Sequence, residues 1–141
     1  MAIYHCSVDV IRRSKGHSST AAAAYRAGDK IKDERTGELH DYTRKQNCAA
    51  NGIVLPEGAQ AEFADREKLW NAVEKTEKRS DAQLCRSFDM ALPNNMPEDL
   101  QEQLIQEFCQ EQFADHGMIA DWSIHRPKPR NRESKNDHAH V

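Results

Sequence analysis

The chain contains no long apolar run. Nowhere in its 141 residues do apolar side chains approach the length of about 20 that a membrane-spanning helix requires. The first six residues, Met-Ala-Ile-Tyr-His-Cys, lack the basic stretch and apolar run of a secretory signal peptide. The four cysteines include no Cys-x-x-Cys pair, which argues against a disulfide framework or a zinc knuckle. We therefore expect a cytoplasmic protein with reduced thiols and no membrane insertion.

Internal repeats, low-complexity tracts and breaks in composition are missing as well. A length of 141 residues fits one domain with a real hydrophobic core. Hydrophobic residues make up 38% of the chain and charged residues 30%, which is typical of a water-soluble protein. We therefore expect residues 1–141 to form a single domain.

The net charge of −3 argues at first against nucleic-acid binding, but the charges are unevenly distributed. Residues 1–45 carry nine Lys/Arg and six Asp/Glu, residues 46–124 carry six and fifteen, and residues 125–141 carry five and two. Both ends are basic, while the acidic middle is typical of solvated helix faces. A locally basic site on an acidic protein can still neutralise a few phosphates. The side chains that suit such contacts are Arg12, Arg13, Lys15, Arg26, Arg44 and Lys45.

Hydrophobic periodicity divides the chain into strands and amphipathic helices. Alternation predicts strands over residues 2–11, 52–55, 84–92 and 118–125 and from residue 138 onward. Helices are predicted from Ser18 or Ser19 to about Gly28, over residues 60–79, and after Asn95 with Pro97 in the first turn. Residues 33–44 look like a hairpin or loop, and residues 126–137 like an exposed basic loop. This pattern predicts an α+β fold, a two-layer sandwich with a largely antiparallel sheet.

The two faces of that sheet should differ. One face should lie under the helices, which bury apolar stripes such as Leu100, Leu104, Ile105 and Phe108 on the third helix. The other face should stay polar and display ionisable side chains, a better arrangement for function than for stability. The residues expected on that polar face are His5, Asp89, Asp121, His125, His138 and His140.

The last residues, Asn-Asp-His-Ala-His-Val, are the most informative part of the chain. Side chains alternate across a strand, so His138 and His140 share one face, as Asp121, Ser123 and His125 do in the preceding strand. If the two strands pair, three imidazoles converge on one side of the sheet. Three neutral histidines with an open coordination position suit a catalytic divalent metal ion. The alternative is a frayed polar end with incidental histidines.

Tyr25 follows a run of four alanines and precedes Arg26. By itself it fits an ordinary half-buried helix residue. Beside a three-histidine site, its phenol becomes a candidate nucleophile, because a nearby metal ion or cation favours the phenolate. Tyr42 precedes Thr43-Arg44-Lys45 and is a weaker candidate, as a DNA contact or a second reactive tyrosine.

An ordered set of motifs resembles the MobA/MobL family of plasmid mobilisation relaxases over essentially the whole chain. The matching segments are Ala-Ile-Tyr-His at 2–5, Ser-Ser-Thr-Ala-Ala-Ala-Ala-Tyr-Arg at 18–26, Asp-Tyr-Thr-Arg-Lys at 41–45, Leu-Trp-Asn-Ala-Val-Glu at 69–74, Met-Ala-Leu-Pro at 90–93, His125, and Asn-Asp-His-Ala-His at 136–140. Individually these motifs mean little, but the alanine–tyrosine motif early and the histidines late form a specific combination.

The resemblance implies a site- and strand-specific DNA nickase that initiates conjugative transfer. Tyr25 corresponds to the nucleophile, which joins the DNA 5′ end and frees a 3′ hydroxyl. His125, His138 and His140 correspond to the metal ligands, and Asp89 to an acidic residue that orients one histidine. The implied cofactor is a divalent metal ion, Mg²⁺ or Mn²⁺. The implied partners are single-stranded transfer-origin DNA and the accessory and coupling proteins of the transfer machinery.

The chain departs from the family pattern in two places. Asp137 replaces the proline of the usual Asn-Pro-His-x-His motif, which we expect to loosen the loop while leaving both ligands in place. The chain also stops one residue after His140, where family strands run on. We therefore expect an excised N-terminal portion, truncated in its C-terminal strand, with a sheet edge that frays.

Two other functions remain open from the sequence. A hydrolytic nuclease would use the same histidine cluster with water as the nucleophile, so that no covalent protein–DNA product forms. A non-catalytic module would bind single-stranded DNA with a steep salt dependence and cleave nothing.

Overall fold

The structure, a computed structural model, describes residues 4–128 and 136–141. These residues form seven strands and three α-helices in a mixed order. In chain order the elements are β1 (Cys6–Arg12), α1 (Ser19–Ala27), β2 (Lys30–Lys32), β3 (Leu39–Asp41), β4 (Cys48–Val54), α2 (Arg66–Thr76), β5 (Gln83–Ala91), α3 (Glu98–Gln112), β6 (Ala120–His125) and β7 (His138–His140). No helix of the described residues is both long enough and apolar enough to cross a membrane.

Five strands form one antiparallel sheet in the order β1-β5-β7-β6-β4, and β2 and β3 form a separate hairpin. The α+β class and the antiparallel sheet are therefore confirmed. The strand that ends the chain is in the middle of the sheet, where it pairs with β5 on one side and β6 on the other. The expectation that this strand forms a fraying edge is wrong, because an edge position cannot be told from a strand's own alternation.

The apolar face of the sheet packs against α3. Trp122, Ile124 and Ala139 from β6 and β7 are buried there against Ile105 and Cys109 of the helix. The predicted stripe is rotated by one residue: Leu100 and Leu104 are 46% and 42% exposed, whereas Gln101, Ile105 and Cys109 are buried. The helix turns a polar side chain inward at residue 101 because that side chain has a buried partner, described below.

Helices also cover part of the opposite, histidine-bearing face. Arg66 and Trp70 of α2 both donate hydrogen bonds to Asp121, and Arg26 of α1 donates one to Ser87. Asp121 and Ser87 project from the same side of the sheet as the histidines. The expectation that helices lie on one face alone is therefore corrected: α3 covers the apolar face, and α1 with α2 covers part of the polar one.

Several boundaries differ from the predictions. The helix predicted over residues 60–79 is a short 3₁₀ turn at Ala61–Ala64 followed by α2, which begins at Arg66 because Asp65 caps it. The third helix begins at Glu98, with Pro97 as its N-cap and not in its first turn. The strand predicted over 52–55 extends over Cys48–Val54. Val8 on β1 is 60% exposed because α3 does not cover this edge strand.

A cavity of about 600 Å³ lies between α1, α2 and the sheet. Its walls include Cys85 and Phe88 of β5, Asp121 of β6, and Val141. Strand β7 pairs with only three residues of β5 and three of β6, and the cavity occupies part of the space between the remainders of those two strands. Of the predicted basic loop, residues 129–135 fall outside the described residues, as does the start of the first predicted strand.

Candidate functional site

Three histidines meet at one end of the polar sheet face. His125 pairs with His138 across β6 and β7, and His140 lies two residues further along β7. Their ring centroids are 4.5–5.3 Å apart, and one potential ligand atom from each lies within 4.8 Å of the others. The convergence predicted from alternation is confirmed. The cluster is enclosed, since His125 is buried and the other two are half-buried.

Each imidazole makes a hydrogen bond through one ring nitrogen to an oxygen acceptor. Nε2 of His125 donates to the backbone carbonyl of Arg26 at 2.5 Å, and Nδ1 of His138 donates to the carbonyl of Asn136 at 2.9 Å. Nδ1 of His140 donates to the carboxylate of Asp89. Carbonyl and carboxylate oxygens only accept, so each contact assigns the proton to the bonded nitrogen. The other nitrogen of every ring therefore keeps a lone pair for a metal ion.

The environment also keeps the imidazoles uncharged. Burial lowers the pKa of His125 to about 4, overcoming the opposing effect of its contact with the Arg26 carbonyl. Burial likewise lowers the pKa of His140, although the neighbouring Asp89 carboxylate acts in the opposite direction. Only an unprotonated nitrogen binds a metal ion, so both groups are ready to act as ligands near neutral pH. The donor set therefore fits a divalent ion on chemical grounds.

Asp89 lies where the sequence placed an acidic partner for the histidines. It is opposite His140 in the register of β5 and β7, and its carboxylate accepts the Nδ1 proton of that ring. Of the six residues predicted for the polar face, Asp89 and the three histidines come together, whereas Asp121 is engaged by Arg66 and Trp70. His5 is exposed and precedes β1.

Asp137, immediately before the first ligand of β7, is anchored. It is 1% exposed, accepts a hydrogen bond from the Gln101 side chain at 3.2 Å, and its backbone carbonyl accepts one from Leu92 at 2.9 Å. Arg126, which follows His125, donates to Gln101 at 3.0 Å and has its Nε 4.0 Å from the Asp137 carboxylate. The expected loosening is therefore corrected: this cluster holds the residues next to two ligands. Sequence reasoning missed it, and a glutamine within an apolar helix stripe was its one signal.

Tyr25 is in the last turn of α1 and is 51% exposed. Its ring is 5.3 Å from that of Tyr42 in an edge-to-face arrangement, and the Lys45 ammonium is 3.3 Å from its ring centroid. The predicted helix boundaries hold, since Ser18 caps the start of α1 and Gly28 ends it at φ +64°. The residue after Tyr25 supplies the carbonyl that contacts His125, so α1 brings the tyrosine to the histidine cluster.

The six basic side chains assigned to DNA have different surroundings. Arg12, Lys15 and Arg44 are exposed. Arg26 reaches Ser87 at 2.5 Å, and Lys45 reaches the Tyr25 carbonyl at 2.9 Å. Arg13 is engaged instead by the Glu74 carboxylate at 2.8 Å and by nearby backbone carbonyls. We therefore reassign Arg13 to anchoring the structure around the start of α1.

Glu74 is the centre of that anchor, which sequence reasoning did not detect. One carboxylate oxygen accepts hydrogen bonds from the backbone N–H and hydroxyl of Ser19, both at 2.8 Å, and the other accepts from Arg13. Burial by itself would raise the pKa of Glu74, but the bonds from Arg13 and Ser19 outweigh it and lower that pKa. A buried anionic Glu74 thus ties α2 to the start of the helix that carries Tyr25.

Known proteins similar to this chain carry names from DNA transfer. It is 43% identical over 128 residues to the "Mobilization protein MobL" of Acidithiobacillus ferridurans, covering 91% of this chain and 33% of that protein. It is 38% identical over 141 residues to the "Probable mobilization protein MobA" of Bifidobacterium longum, covering 100% of this chain and 24% of that protein. The chain therefore spans a third or less of the length of these relatives.

A solved structure has the same fold. It is described as "Molecular Basis of Vancomycin Resistance Transfer in Staphylococcus aureus" and superposes with a TM-score of 0.88 at 34% sequence identity, covering 99% of this chain and 68% of that one. The "Conjugal transfer protein TraA" of Agrobacterium fabrum is 38% identical over 135 residues, covering 89% of this chain and 12% of that protein. The model of the MobA/MobL family matches residues 17–141, and this chain belongs to that family.

Proposed function

We propose that this chain is the DNA-nicking domain of a plasmid mobilisation relaxase. One observation carries the proposal: a single helix end holds Tyr25 and, through the adjacent Arg26 carbonyl, contacts His125 of the three-histidine cluster. A nucleophile and a candidate metal site are thereby built on one rigid element. The names of the relatives, mobilisation and conjugal transfer proteins, agree with this activity.

The proposed reaction is a transesterification. The phenol oxygen of Tyr25, having lost its proton, attacks a DNA phosphorus atom, and the bond from phosphorus to the 3′ oxygen breaks. The products are a 5′-phosphotyrosine link and a free 3′ hydroxyl, which can reverse the reaction because the energy of the phosphodiester is retained in the new ester. A divalent ion held by His125, His138 and His140 would supply positive charge for the non-bridging phosphate oxygens.

The chain's own residues prepare that site. Asp89 fixes the tautomer and ring orientation of His140, and the Arg26 and Asn136 carbonyls do the same for the other two ligands. Neutral imidazoles leave the full charge of the ion available to the phosphate. Of the two ions that the family resemblance implies, Mn²⁺ suits this all-nitrogen set better, because Mg²⁺ prefers oxygen ligands.

We further propose single-stranded transfer-origin DNA as the substrate, with accessory and coupling proteins of the transfer machinery as partners. The exposed cations Arg12, Lys15 and Arg44 are available for phosphate contacts. Each such contact would weaken binding as salt rises, since bound counterions are released on association.

The test is a denaturing gel of the chain with a single-stranded transfer-origin oligonucleotide from its own plasmid, with Mn²⁺ or Mg²⁺. We expect a protein-linked DNA band that requires metal and disappears in Tyr25→Phe. Tyr42→Phe is the matched control, because it removes a phenol hydroxyl from the neighbouring ring and should leave the band.

Other outcomes identify the rival functions. Cleavage without a protein-linked band, unchanged in Tyr25→Phe, would indicate a hydrolytic nuclease. Salt-dependent binding without cleavage under either metal ion would indicate a DNA-binding module. A linked band that persists in Tyr25→Phe and is lost in Tyr42→Phe would move the nucleophile to Tyr42.

A further inference from the structure

The segment after β3 folds back against the end of α1. The backbone N–H of Lys45 donates to the Tyr42 carbonyl at 2.9 Å, which closes a tight turn. From this turn the Lys45 ammonium reaches α1, where it donates to the Tyr25 carbonyl at 2.9 Å and lies 3.3 Å from the centroid of the Tyr25 ring. Lys45 therefore contacts both the backbone and the side chain of the candidate nucleophile.

Both contacts are favourable for physical reasons. The last carbonyls of an α-helix have no partner within the helix, and a cation near that end also meets the negative end of the helix dipole. The face of an aromatic ring carries negative charge density and attracts an ammonium group. Tyr42 packs nearly perpendicular to the same ring, at an interplanar angle of 87°. The ring of Tyr25 is thus held by Lys45 on its face and by Tyr42.

This environment differs from that of a lysine that binds phosphate. The Lys45 side chain is committed to two groups of Tyr25, and the residue is half-buried. The neighbouring Arg44 is exposed and is better placed to contact a DNA backbone. The two adjacent cations therefore have different tasks, which the sequence alone could not separate.

We propose that Lys45 is a positioning residue for Tyr25, holding the phenol ring in one orientation for attack, and not a phosphate contact. The proposal deepens the proposed function and rests on Tyr25 being the nucleophile. A fixed ring spends more time in the geometry that leads to reaction, and small misplacements of reacting groups are costly. The contact itself exists without DNA or metal, so it can be tested in the free protein.

The first experiment is NMR of the free protein with isotope-labelled tyrosine, which gives three ring signals because the chain has only three tyrosines. Lys45→Met should shift the ring resonances of Tyr25, while Lys45→Arg, which keeps a cation for the ring face, should largely restore them. Lys75→Met is the control, since it removes the same charge from an exposed position on α2. Tyr25 resonances that are unchanged in Lys45→Met would overturn the contact.

The second experiment separates positioning from DNA binding. We expect Lys45→Met to slow formation of the covalent product about 10- to 100-fold at saturating oligonucleotide, with little change in DNA affinity. A phosphate contact would give the opposite pattern: weaker binding, a salt dependence reduced by about 0.7 to 0.9 per contact, and an unchanged rate at saturation. That pattern, which we expect for Arg44→Met, would overturn the proposal if Lys45→Met gave it.

The two experiments also distinguish the failure of this proposal from that of the proposed function. If wild-type protein forms no covalent product while the Tyr25 resonances respond to Lys45→Met, then the relaxase activity fails and the contact stands. If the product forms and needs Tyr25 but Lys45→Met reacts at the wild-type rate, then Tyr25 is the nucleophile and Lys45 does not position it. Circular dichroism of each variant checks that it folds.

Discussion

The backbone carbonyl of Arg26 accepts a hydrogen bond from Nε2 of His125 at 2.5 Å, joining the end of α1 to the histidine cluster across 99 residues of sequence. Because the acceptor belongs to the backbone, substitution of the Arg26 side chain does not remove it. The contact assigns the proton of His125 and places Tyr25 one residue from a candidate metal ligand. Any displacement of α1 would therefore disturb the nucleophile and the ligand together.

Asp89→Ala should weaken metal binding. The carboxylate accepts the Nδ1 proton of His140, so its loss frees the ring to rotate and lowers its basicity. Removing such a partner of a ligating histidine typically costs about 10- to 100-fold in metal affinity. Isothermal titration of the free protein with Mn²⁺ measures the change. Asp9→Asn, at an exposed carboxylate of the neighbouring strand β1, serves as the charge control. Equal affinity in wild type and Asp89→Ala would remove Asp89 from the site.

Asp137→Ala should lower both stability and metal affinity. Truncation leaves the buried Gln101 amide without the carboxylate that accepts its hydrogen bond, and an unsatisfied buried group costs about 1–3 kcal/mol. The affinity should fall because His138 follows directly and loses its anchor. Urea unfolding and Mn²⁺ titration measure the two effects. Asp137→Asn keeps an acceptor oxygen and should be milder than Asp137→Ala; the reverse order would contradict the role given to this cluster.

Glu74 should make the protein sensitive to acid. Its pKa is lower in the folded state than its ordinary value of 4.5, so the unfolded chain binds the proton more tightly. The stabilisation from this group is therefore complete above about pH 5 and is lost as the pH falls through the folded-state pKa.

The Glu74→Gln variant isolates that contribution. At neutral pH we expect it to be less stable by about 2 kcal/mol, because bonds from Arg13 and Ser19 to a charged acceptor are lost or weakened. Between about pH 5 and pH 3 the gap to wild type should narrow, as wild-type Glu74 is protonated. Melting temperatures measured across this range give the comparison. A gap that stays constant with pH would mean that Glu74 does not titrate differently on folding.

The sequence predicted best those features that depend on local periodicity. Alternation of period two placed His125, His138 and His140 on one face, and Ser18 and Gly28 marked the ends of α1. It failed where a neighbour decides the outcome. Leu104 is more apolar than Gln101, so the stripe of α3 was assigned to the wrong residues; the true phase follows from the buried partners of Gln101. The contact between Lys45 and Tyr25 depends on how a loop folds back, which periodicity does not describe.

The central position of β7 has a consequence for how the protein is made. Synthesis proceeds from the N-terminus at about 5–20 residues per second, so β1, β5, β6 and β4 all leave the ribosome before residues 138–141. Until those residues arrive, β5 and β6 have no strand between them, and His125 stands without its two companions. The last few residues thus close the sheet and complete the donor set in one event. A nascent chain cannot hold the ion through this cluster before its main sheet is whole, which delays nicking competence until the domain has folded.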